Sequence, residues 1–257
     1  MHGRHQARDR GRWEIWNPSL VGVEGGHSSR LRRGTHRKVG TSREGHRVRG
    51  VSFVHDGKYA LTPVGPSEQS AYSQVHVKAL AASYREIIGE EFSTTIRAEA
   101  ASVADEDRAY LRRSDAQAVI AWSNPQFEET NDFGCCGVGA DPDLWTRPVG
   151  IALTIDAGPL EAWEREIGAV PIPGAVEAGA RQLVNLYVLP EAQGEGLGAE
   201  LLREVLPEDS PAFLWLINGN DGAERFYRRH GFRGLGEDFP TQGTWAPSTT
   251  GRMVRGL

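Results

Sequence analysis

Two segments in the last third of the sequence carry residues whose types and spacing suit a phosphorylated ligand. The first, called the glycine turn below, is Gln193-Gly-Glu-Gly-Leu-Gly198, between the apolar stretch 181–189 and the amphipathic stretch 199–206. A strand, a tight turn and a helix N-terminus in this order leave backbone N–H groups free, and the helix dipole favours an anion there. Glycines at 194, 196 and 198 let the backbone approach a pyrophosphate without Cβ clashes. The glycine turn therefore predicts a phosphate site.

The second segment, residues 218–232, predicts a helix with a polar start. Asn218 and Asn220 open it, and Gly231 suits the left-handed position that follows a helix. Four residues are spaced so that they lie on one face of this helix: Ala223, Phe226, Tyr227 and His230. Residues 212–217 predict a strand between the two segments, and Pro207 ends the helix before it.

A dinucleotide site is an alternative interpretation of the same glycines. Gly194-x-Gly196-x-x-Ala199 satisfies the loose fingerprint G-x-G-x-x-G/A. However, Pro190 separates the preceding strand from the first glycine, and the next strand ends in Asn218 instead of a ribose-binding carboxylate. A P-loop is excluded, because no Gly-Lys-Ser/Thr ends the turn. An NAD(P)-dependent oxidoreductase thus rests on the glycine pattern alone.

The two segments together resemble the GNAT N-acetyltransferase superfamily. The glycine turn matches that family's Q/R-x-x-G-x-G/A acyl-CoA pyrophosphate loop, and Asn220-x-x-Ala223-x-x-Phe226-Tyr227-x-x-x-Gly231-Phe232 matches its second cofactor motif. The detailed match covers residues 181–233, and the order of elements agrees over 58–257, with Arg252-Met-Val254 as the last strand. The resemblance implies an α/β (mixed α+β) fold: a splayed, mostly antiparallel central sheet of six to seven strands, flanked by helices on both faces.

The resemblance also implies a site and a cosubstrate. Acetyl-CoA would donate its acetyl group by direct attack of an amine on the thioester, with no metal. Tyr227 would be the catalytic acid that protonates the departing sulfur; the alternative is a core aromatic that uses its hydroxyl as a polar handle. The strand edge would pair with the pantetheine amides. The implied cofactor-binding residues are Leu186, Tyr187, Val188, Gln193, Gly194, Glu195, Gly196, Leu197, Gly198, Asn220, Ala223, Phe226 and Tyr227.

The sequence differs from many family members at the position of the residue expected to act as general base. Many members place a carboxylate just before the Leu-Tyr-Val stretch, where this chain has Asn185. An amide does not accept a proton at neutral pH, so the base stays unassigned, and a non-catalytic acyl-CoA-binding or regulatory domain is an alternative. We expect a small-molecule primary amine as acceptor, with a protein N-terminus or lysine as the second option. The acceptor site is expected in residues 156–180 and 234–250, with Glu161, Trp163, Glu164, Glu237, Asp238 and Trp245.

The elements that must position these residues alternate along the chain. A hairpin is predicted around Asp56-Gly57, followed by a helix from Pro66 with the stripe Tyr72, His76, Leu80, Tyr84, Ile87 and Ile88 that ends at Gly89. A second helix is predicted near Ser102, with Asp105 as a capping-box-like partner. Strands are predicted at 118–122 and 149–155, and a long loop lies between them.

Charge divides the chain at about residue 50. Residues 1–50 hold 12 Lys and Arg against 4 Asp and Glu, whereas the remainder has a net charge of −13. We therefore interpret 1–50 as a disordered basic extension or a misassigned start, and 51–257 as the GNAT-like domain. No nucleic-acid motif accompanies the basic stretch, so we expect no nucleic-acid partner. No apolar run is long enough to span a membrane. A homodimer is possible, because dimers are common among similar proteins.

Cysteine usage favours a cytoplasmic protein. Only Cys135 and Cys136 occur among the 257 residues, and two adjacent cysteines cannot form a disulfide framework. No Cys-x-x-Cys or second metal-ligand pair accompanies them, so we interpret both as ordinary thiols.

Overall fold

The computed structural model describes residues 50–124 and 145–257. The basic extension up to residue 49 and the cysteine pair lie outside the described residues. The helices are α1 (Gln69–Ser83), α2 (Glu90–Ala98), α3 (Ala100–Leu111), α4 (Ala162–Glu166), α5 (Leu197–Val205) and α6 (Asp221–Arg229). The strands are β1 (Ser52–Val54), β2 (Tyr59–Pro63), β3 (Gln117–Ser123), β4 (Arg147–Asp156), β5 (Arg181–Val188), β6 (Ala212–Ile217), β7 (Arg233–Gly234), β8 (Phe239–Pro240) and β9 (Thr249–Arg255).

The strands form one open sheet in the order β1-β2-β3-β4-β5-β6-β9-β7, with β8 also paired to β9. Every pairing is antiparallel except that between β5 and β6. The predicted mixed fold with a mostly antiparallel sheet is therefore confirmed. The structure describes nine strands where six to seven were predicted. Six of them have five or more residues, and the other three are short edge strands. Strands of two or three residues carry no alternation that a sequence pattern could reveal.

Helices cover both faces of the sheet. Helix α5 buries the predicted face against β3, β4 and β5, and α6 adds Tyr227 to the same cluster. Helices α1, α2 and α3 cover the opposite face. Each buried leucine contributes about 1.5–3 kcal/mol relative to an exposed one, so the helices hold the sheet from both sides. The buried residues of α5 are Leu197, Leu201, Leu202 and Val205. Within the described ranges, no helix is long and apolar enough to cross a membrane.

The first predicted helix is wrong in its extent. Helix α1 ends at Ser83, a turn follows, and Gly89 precedes a separate helix, α2, that the sequence did not predict. Gly89 has φ of +132°, a backbone conformation that side chains disfavour, so the chain breaks there instead of continuing. The second predicted helix starts earlier than expected, at Ala100. Asp105 therefore lies inside α3, where it pairs with Arg108.

Strands β5 and β6 separate partway along their length. They pair only where residues 181–183 lie beside 212–214. On its other edge, β5 changes register with β4 between Asn185 and Leu183, so Val184 is an extra residue in the ladder. Such a bulge bends the strand that contains it. Beyond the bulge, β5 and β6 diverge and open a cleft through the sheet.

Candidate active site

The divergence of β5 and β6 creates a cleft with a volume of about 820 Å³. Its walls come from β5, the glycine turn, the start of α5, β6, α6 and the turn after α1. The cleft thus joins the two sequence segments that were predicted to act together. All of the predicted cofactor-binding residues line it except Glu195.

Glu195 points away from the cleft. Its carboxylate accepts hydrogen bonds from Lys58 Nζ and from the Tyr59 hydroxyl, each at 2.8 Å. The hydrogen bond from Lys58 is the main cause, and that from Tyr59 the second, of a pKa of Glu195 below its ordinary value. The side chain therefore anchors the glycine turn to β2, and the turn's backbone is left to face a ligand.

The glycine turn leads into α5 through Gly196, which has φ of +85° and is the N-cap. The N–H of Ala199 bonds the Gly196 carbonyl at 2.9 Å, whereas the N–H groups of Leu197 and Gly198 belong to the first turn, where a helix offers no partner. A Cβ on Gly198 would lie 3.5 Å from the Phe226 ring. The lack of side chains at Gly196 and Gly198 keeps the helix N-terminus open to an anion.

One edge of β5 faces the cleft with free backbone groups. The N–H of Leu189 donates to the Val149 carbonyl at 2.8 Å on the β4 side. Because an antiparallel ladder alternates, the backbone groups of Leu186 and Val188 point to the opposite edge, where β6 has diverged. The Val188 carbonyl there accepts from Gln193 Nε2 at 2.8 Å. The remaining groups form a short strand edge that an extended ligand can pair with.

Helix α6 lines the opposite wall of the cleft. Asn220 caps it by accepting from the Ala223 N–H at 3.1 Å, so this predicted ligand has a structural role as well. Arg229 and His230 bring a guanidinium group and an imidazole ring to the wall. The His230 ring stacks near Phe226, with 4.3 Å between centroids.

Tyr227 lies at the inner end of the cleft. Its side chain is buried, and burial raises its pKa above the ordinary value, with a smaller contribution from Tyr84. Burial also raises the pKa of Tyr84, which hydrogen bonding by Tyr187 and Asn220 partly offsets. The hydroxyl of Tyr227 therefore stays protonated at neutral pH and is able to donate a proton.

A small chamber of about 40 Å³ adjoins the cleft. The two share Tyr84, Leu183, Val184, Tyr187 and Trp215 as walls. The residues that line only the chamber are His76, Leu80, Gln182, Asn185, Ile217, Trp245 and Thr250. None of the chamber residues is Asp, Glu, Lys or Arg, so its interior is aromatic and polar without a fixed charge.

Asn185, the residue at the family's carboxylate position, does lie at this chamber. Its Nδ2 donates to the Tyr72 hydroxyl at 3.0 Å, and the side chain is buried. This contact fixes the amide group on the α1 side of the sheet. Asn185 therefore shapes the chamber wall without taking up a proton.

The predicted acceptor residues do not come together. Trp245 lines the chamber, but Trp163 is buried in the core beside Trp215. Glu237 forms an ion pair with Arg252, and Asp238 accepts from Asn218 at 2.9 Å. The acidic loops thus serve mainly to hold the C-terminal strands.

Glu161 and Glu164 line a second cavity of about 700 Å³, apart from the cleft. Glu161 accepts from the Tyr110 hydroxyl at 3.0 Å and from Trp163 Nε1 at 3.0 Å. Burial raises the pKa of Glu161 to about 7. Both carboxylates lie outside the cleft and the chamber, so the residues expected at the acceptor site do not share one cavity.

Sequence reasoning missed three residues of the site. Tyr84 and His76 were placed on the buried stripe of the first helix, and Trp215 was placed within a strand. A polar histidine on an apolar stripe was the available signal, because buried imidazoles need a partner. Trp215 carried no signal, since its exposure to the cleft follows from the divergence of two strands.

The fold and the site define a class of α/β protein in which two parallel strands diverge around a cleft with an anion-binding turn at one end. Residues 160–234 match the family model described as "Acetyltransferase (GNAT) domain". This part of the chain is similar to a GNAT acetyltransferase domain, and the resemblance predicted from the two motifs is confirmed. Within the described residues, no group of three His, Cys, Asp or Glu side chains could hold a metal ion.

Among curated proteins, the chain is similar to the GCN5-like protein acetyltransferase Rv2170 of Mycobacterium tuberculosis. The two are 29% identical over 141 residues, which cover 48% of this chain and 66% of the relative, slightly less than two thirds of its length.

Solved structures with a related arrangement include two acetyltransferases. The PaiA N-acetyltransferase of Thermoplasma acidophilum in complex with coenzyme A has a TM-score of 0.46 and 16% identity, covering 76% of this chain and 97% of that one. Arabidopsis thaliana NAA60 in complex with acetyl-CoA has a TM-score of 0.46 and 15% identity, covering 77% and 99%.

Proposed function

We propose that this chain is an acetyl-CoA-dependent N-acetyltransferase that moves an acetyl group to a primary amine, by direct attack on the thioester. The observation that supports it most is the cleft itself. It runs from the open N-terminus of α5, which suits a pyrophosphate, past the free edge of β5 to the hydroxyl of Tyr227. A pyrophosphate, an extended amide chain and a thioester follow one another in the same order along acetyl-CoA.

Each part of the cleft wall then has one role in the transfer. Backbone N–H groups of the glycine turn bind the pyrophosphate, and the edge at Leu186 and Val188 pairs with the pantetheine amides. A backbone N–H on this edge stabilises the oxyanion as the amine adds to the carbonyl. Tyr227 then donates its proton to the sulfur as the C–S bond breaks.

The chamber favours a slender acceptor. A volume of about 40 Å³ holds only a few water-sized groups, so an amine with one or two methylene groups fits, and a bulky secondary amine does not. Aromatic walls attract an ammonium group through cation–π interaction. We therefore keep a small-molecule primary amine as the first candidate.

A protein substrate is the second candidate. The curated relative is named a protein acetyltransferase, and the end of a lysine side chain also fits a narrow chamber. The two candidate acceptors differ in the part of the molecule that lies outside the chamber, so turnover with a panel of acceptors distinguishes them.

The first experiment is calorimetric titration of the full chain with acetyl-CoA, with NADH as the control ligand. We expect saturable binding of acetyl-CoA alone, and its loss in Gly196→Asp, which adds a negative side chain at the helix N-terminus. Turnover is then measured with polyamines, aminoglycosides, amino acids and a peptide panel. Binding of NADH alone would overturn the proposal, and acetyl-CoA binding without turnover on any acceptor would favour a non-catalytic acyl-CoA-binding domain.

We further propose that the protein forms a homodimer, as similar proteins commonly do. Light scattering of the full chain across a range of concentrations tests this, and a constant monomer mass would contradict it. The cytoplasmic location stays a prediction from cysteine usage.

A further inference from the structure

A histidine–aspartate pair is buried between α1 and α3. His76 Nδ1 lies 2.8 Å from Asp107 Oδ1, and each side chain is only 2% exposed. Two ionisable side chains rarely leave water together unless they are well paired. Here the pairing is incomplete, because Asp107 Oδ2 is buried and has no hydrogen-bond partner among the described residues. A buried carboxylate with one oxygen left without a hydrogen bond stabilises the fold poorly, so its presence needs another explanation.

The pair fixes which nitrogen of the imidazole can accept a proton. A carboxylate only accepts hydrogen bonds, so Nδ1 carries the hydrogen that Asp107 receives. Nε2 is then the basic nitrogen, and no described protein atom bonds it. The His76 ring also lies against Tyr187, with 5.2 Å between ring centroids. The imidazole is thus held in one orientation by contacts on two sides.

His76 forms part of the chamber wall, next to the inner end of the cleft. The groups that face it are Asp107 from α3, Tyr187 from β5, Tyr72 from its own helix and Tyr84 from the turn that follows. Burial raises the pKa of each of these three tyrosines, so all three stay protonated near neutral pH. Among the described residues that line the chamber, His76 is therefore the one whose ring offers a nitrogen lone pair as a base.

An amine acceptor makes such a group necessary. A primary amine arrives mainly as an ammonium ion, which has no lone pair for attack. Asn185, at the position where family members often carry a carboxylate, accepts no proton. The interior of the chamber offers no Asp, Glu, Lys or Arg that could replace it.

We propose that His76 is the general base of the acetyl transfer and that Asp107 is its positioning residue. The proposal rests on the function proposed above. Nε2 of His76 takes one proton from the ammonium ion, and the freed lone pair forms the C–N bond with the thioester carbon. The C–S bond then breaks, the sulfur takes a proton from Tyr227, and the nitrogen's second proton restores Tyr227 through solvent. The net products are the amide, free thiol and one proton, which His76 releases.

The decisive variant is His76→Asn. The asparagine amide can keep the hydrogen bond to Asp107 while it removes the basic nitrogen, so the α1–α3 contact survives. General-base catalysis contributes about 10²–10⁴-fold, and we expect kcat/KM for the amine to fall by that order. Acetyl-CoA affinity, measured by calorimetry, should stay within about 2-fold, because His76 does not line the cleft.

A pH profile separates a base from a structural residue. In the wild type, kcat/KM should rise with pH and reach a plateau as one group loses its proton. In His76→Asn the plateau should vanish, and the residual rate should keep rising with the fraction of free amine. Asp107→Asn should shift the wild-type profile and lower the plateau while the residual imidazole keeps a plateau.

A weakly basic acceptor gives a second readout. The best amine from the panel is compared with its fluorinated analogue, whose amino group is already neutral at the assay pH. The defect of His76→Asn should shrink at least 10-fold with the analogue, since no proton has to be removed before attack. An equal defect on both acceptors would contradict the base role and leave His76 as a structural residue.

The outcomes keep the two proposals apart. If the wild type binds no acetyl-CoA or transfers no acetyl group, the proposed function itself has failed. If the wild type turns over and His76→Asn, folded by circular dichroism, keeps the full rate and the plateau, the function stands and the His76 proposal is overturned.

Discussion

The Tyr59 hydroxyl donates a hydrogen bond to Glu195 Oε2 at 2.8 Å, across 136 residues of sequence. Lys58, the neighbour of Tyr59, holds the other oxygen of the same carboxylate. These contacts attach the glycine turn to β2, a strand outside the matched family segment at 160–234. A turn that is already fixed loses less conformational entropy when a ligand binds. The N-terminal hairpin therefore supports the proposed cofactor site although it contributes no wall to the cleft.

Loss of this anchor should weaken acetyl-CoA binding. Tyr59→Phe removes the hydrogen bond and keeps the ring, and we expect the Kd for acetyl-CoA to rise about 3–10-fold, or about 1 kcal/mol. Calorimetry measures the change. The matched control is Tyr110→Phe, which removes a Tyr–Glu hydrogen bond of the same kind beside the second cavity. Equal affinity in the two variants would show that the anchor does not preorganise the turn.

The conformation of Gly196 should matter more than its small size. Its φ of +85° disfavours any side chain, and a Cβ would lie at an ordinary 3.5 Å from His55. Gly196→Ala should therefore cost about 1 kcal/mol of stability through backbone strain and should lower acetyl-CoA affinity at least 10-fold as the turn relaxes.

Gly179→Ala provides the control for that strain. Gly179 has φ of +64° with open space around it, and it lies outside the cleft. A thermal melt should show that Gly179→Ala loses about as much stability as Gly196→Ala, while its affinity for acetyl-CoA stays unchanged. Equal loss of affinity in both variants would mean that global destabilisation, and not the turn, explains the effect.

The sequence predicted the elements that form the cleft wall, because they are local. The glycine turn, α5 and α6 are consecutive elements, and short-range signals such as glycine spacing and a helical face specify them. The place of the Glu195 side chain could not be predicted in this way, because its partners, Lys58 and Tyr59, come from a distant part of the chain.

The chamber proposed to bind the acceptor was not predicted, because distant elements build it. His76 comes from α1, Asp107 from α3 and Asn185 from β5, and only the folded sheet brings them together. The end of α1 was also misjudged. The apolar spacing at Ile87 and Ile88 continued past Ser83, although the chain turns there toward α2. Periodicity records which side chains are buried but not whether one helix buries them all.

Tyr227→Phe tests the acid. We expect kcat to fall about 10–100-fold with little change in the KM for acetyl-CoA, because the phenyl ring still packs in the cleft. Burial raises the pKa of Tyr227, so the hydroxyl stays protonated in alkaline solution. The wild-type kcat should therefore show no fall from loss of this proton up to pH 10. Full turnover by the folded variant would remove the acid role.

Glu161 makes the stability of the protein depend on pH. Burial raises its pKa in the folded state from 4.5 to about 7, so the folded protein binds a proton that the unfolded chain has released. The contribution of Glu161 to the free energy of unfolding therefore decreases as pH rises from about 4.5 to about 7 and is constant on either side of that window. Each unit of pKa corresponds to about 1.4 kcal/mol. After allowance for partial exposure, we expect a loss of about 1–2 kcal/mol.

Glu161→Gln should remove this dependence. Glutamine can still accept from Tyr110 and Trp163 through its carbonyl oxygen and carries no charge at any pH. We expect the variant to melt about 2–6 °C above the wild type at pH 8 and at the same temperature near pH 4.5. Glu166→Gln, which neutralises an exposed carboxylate on the same helix, controls for net charge. A gain in Tm that is independent of pH, or one that Glu166→Gln reproduces, would contradict a buried carboxylate at Glu161 as the cause. Turnover at pH 8 should be unchanged, because Glu161 lines neither the cleft nor the chamber.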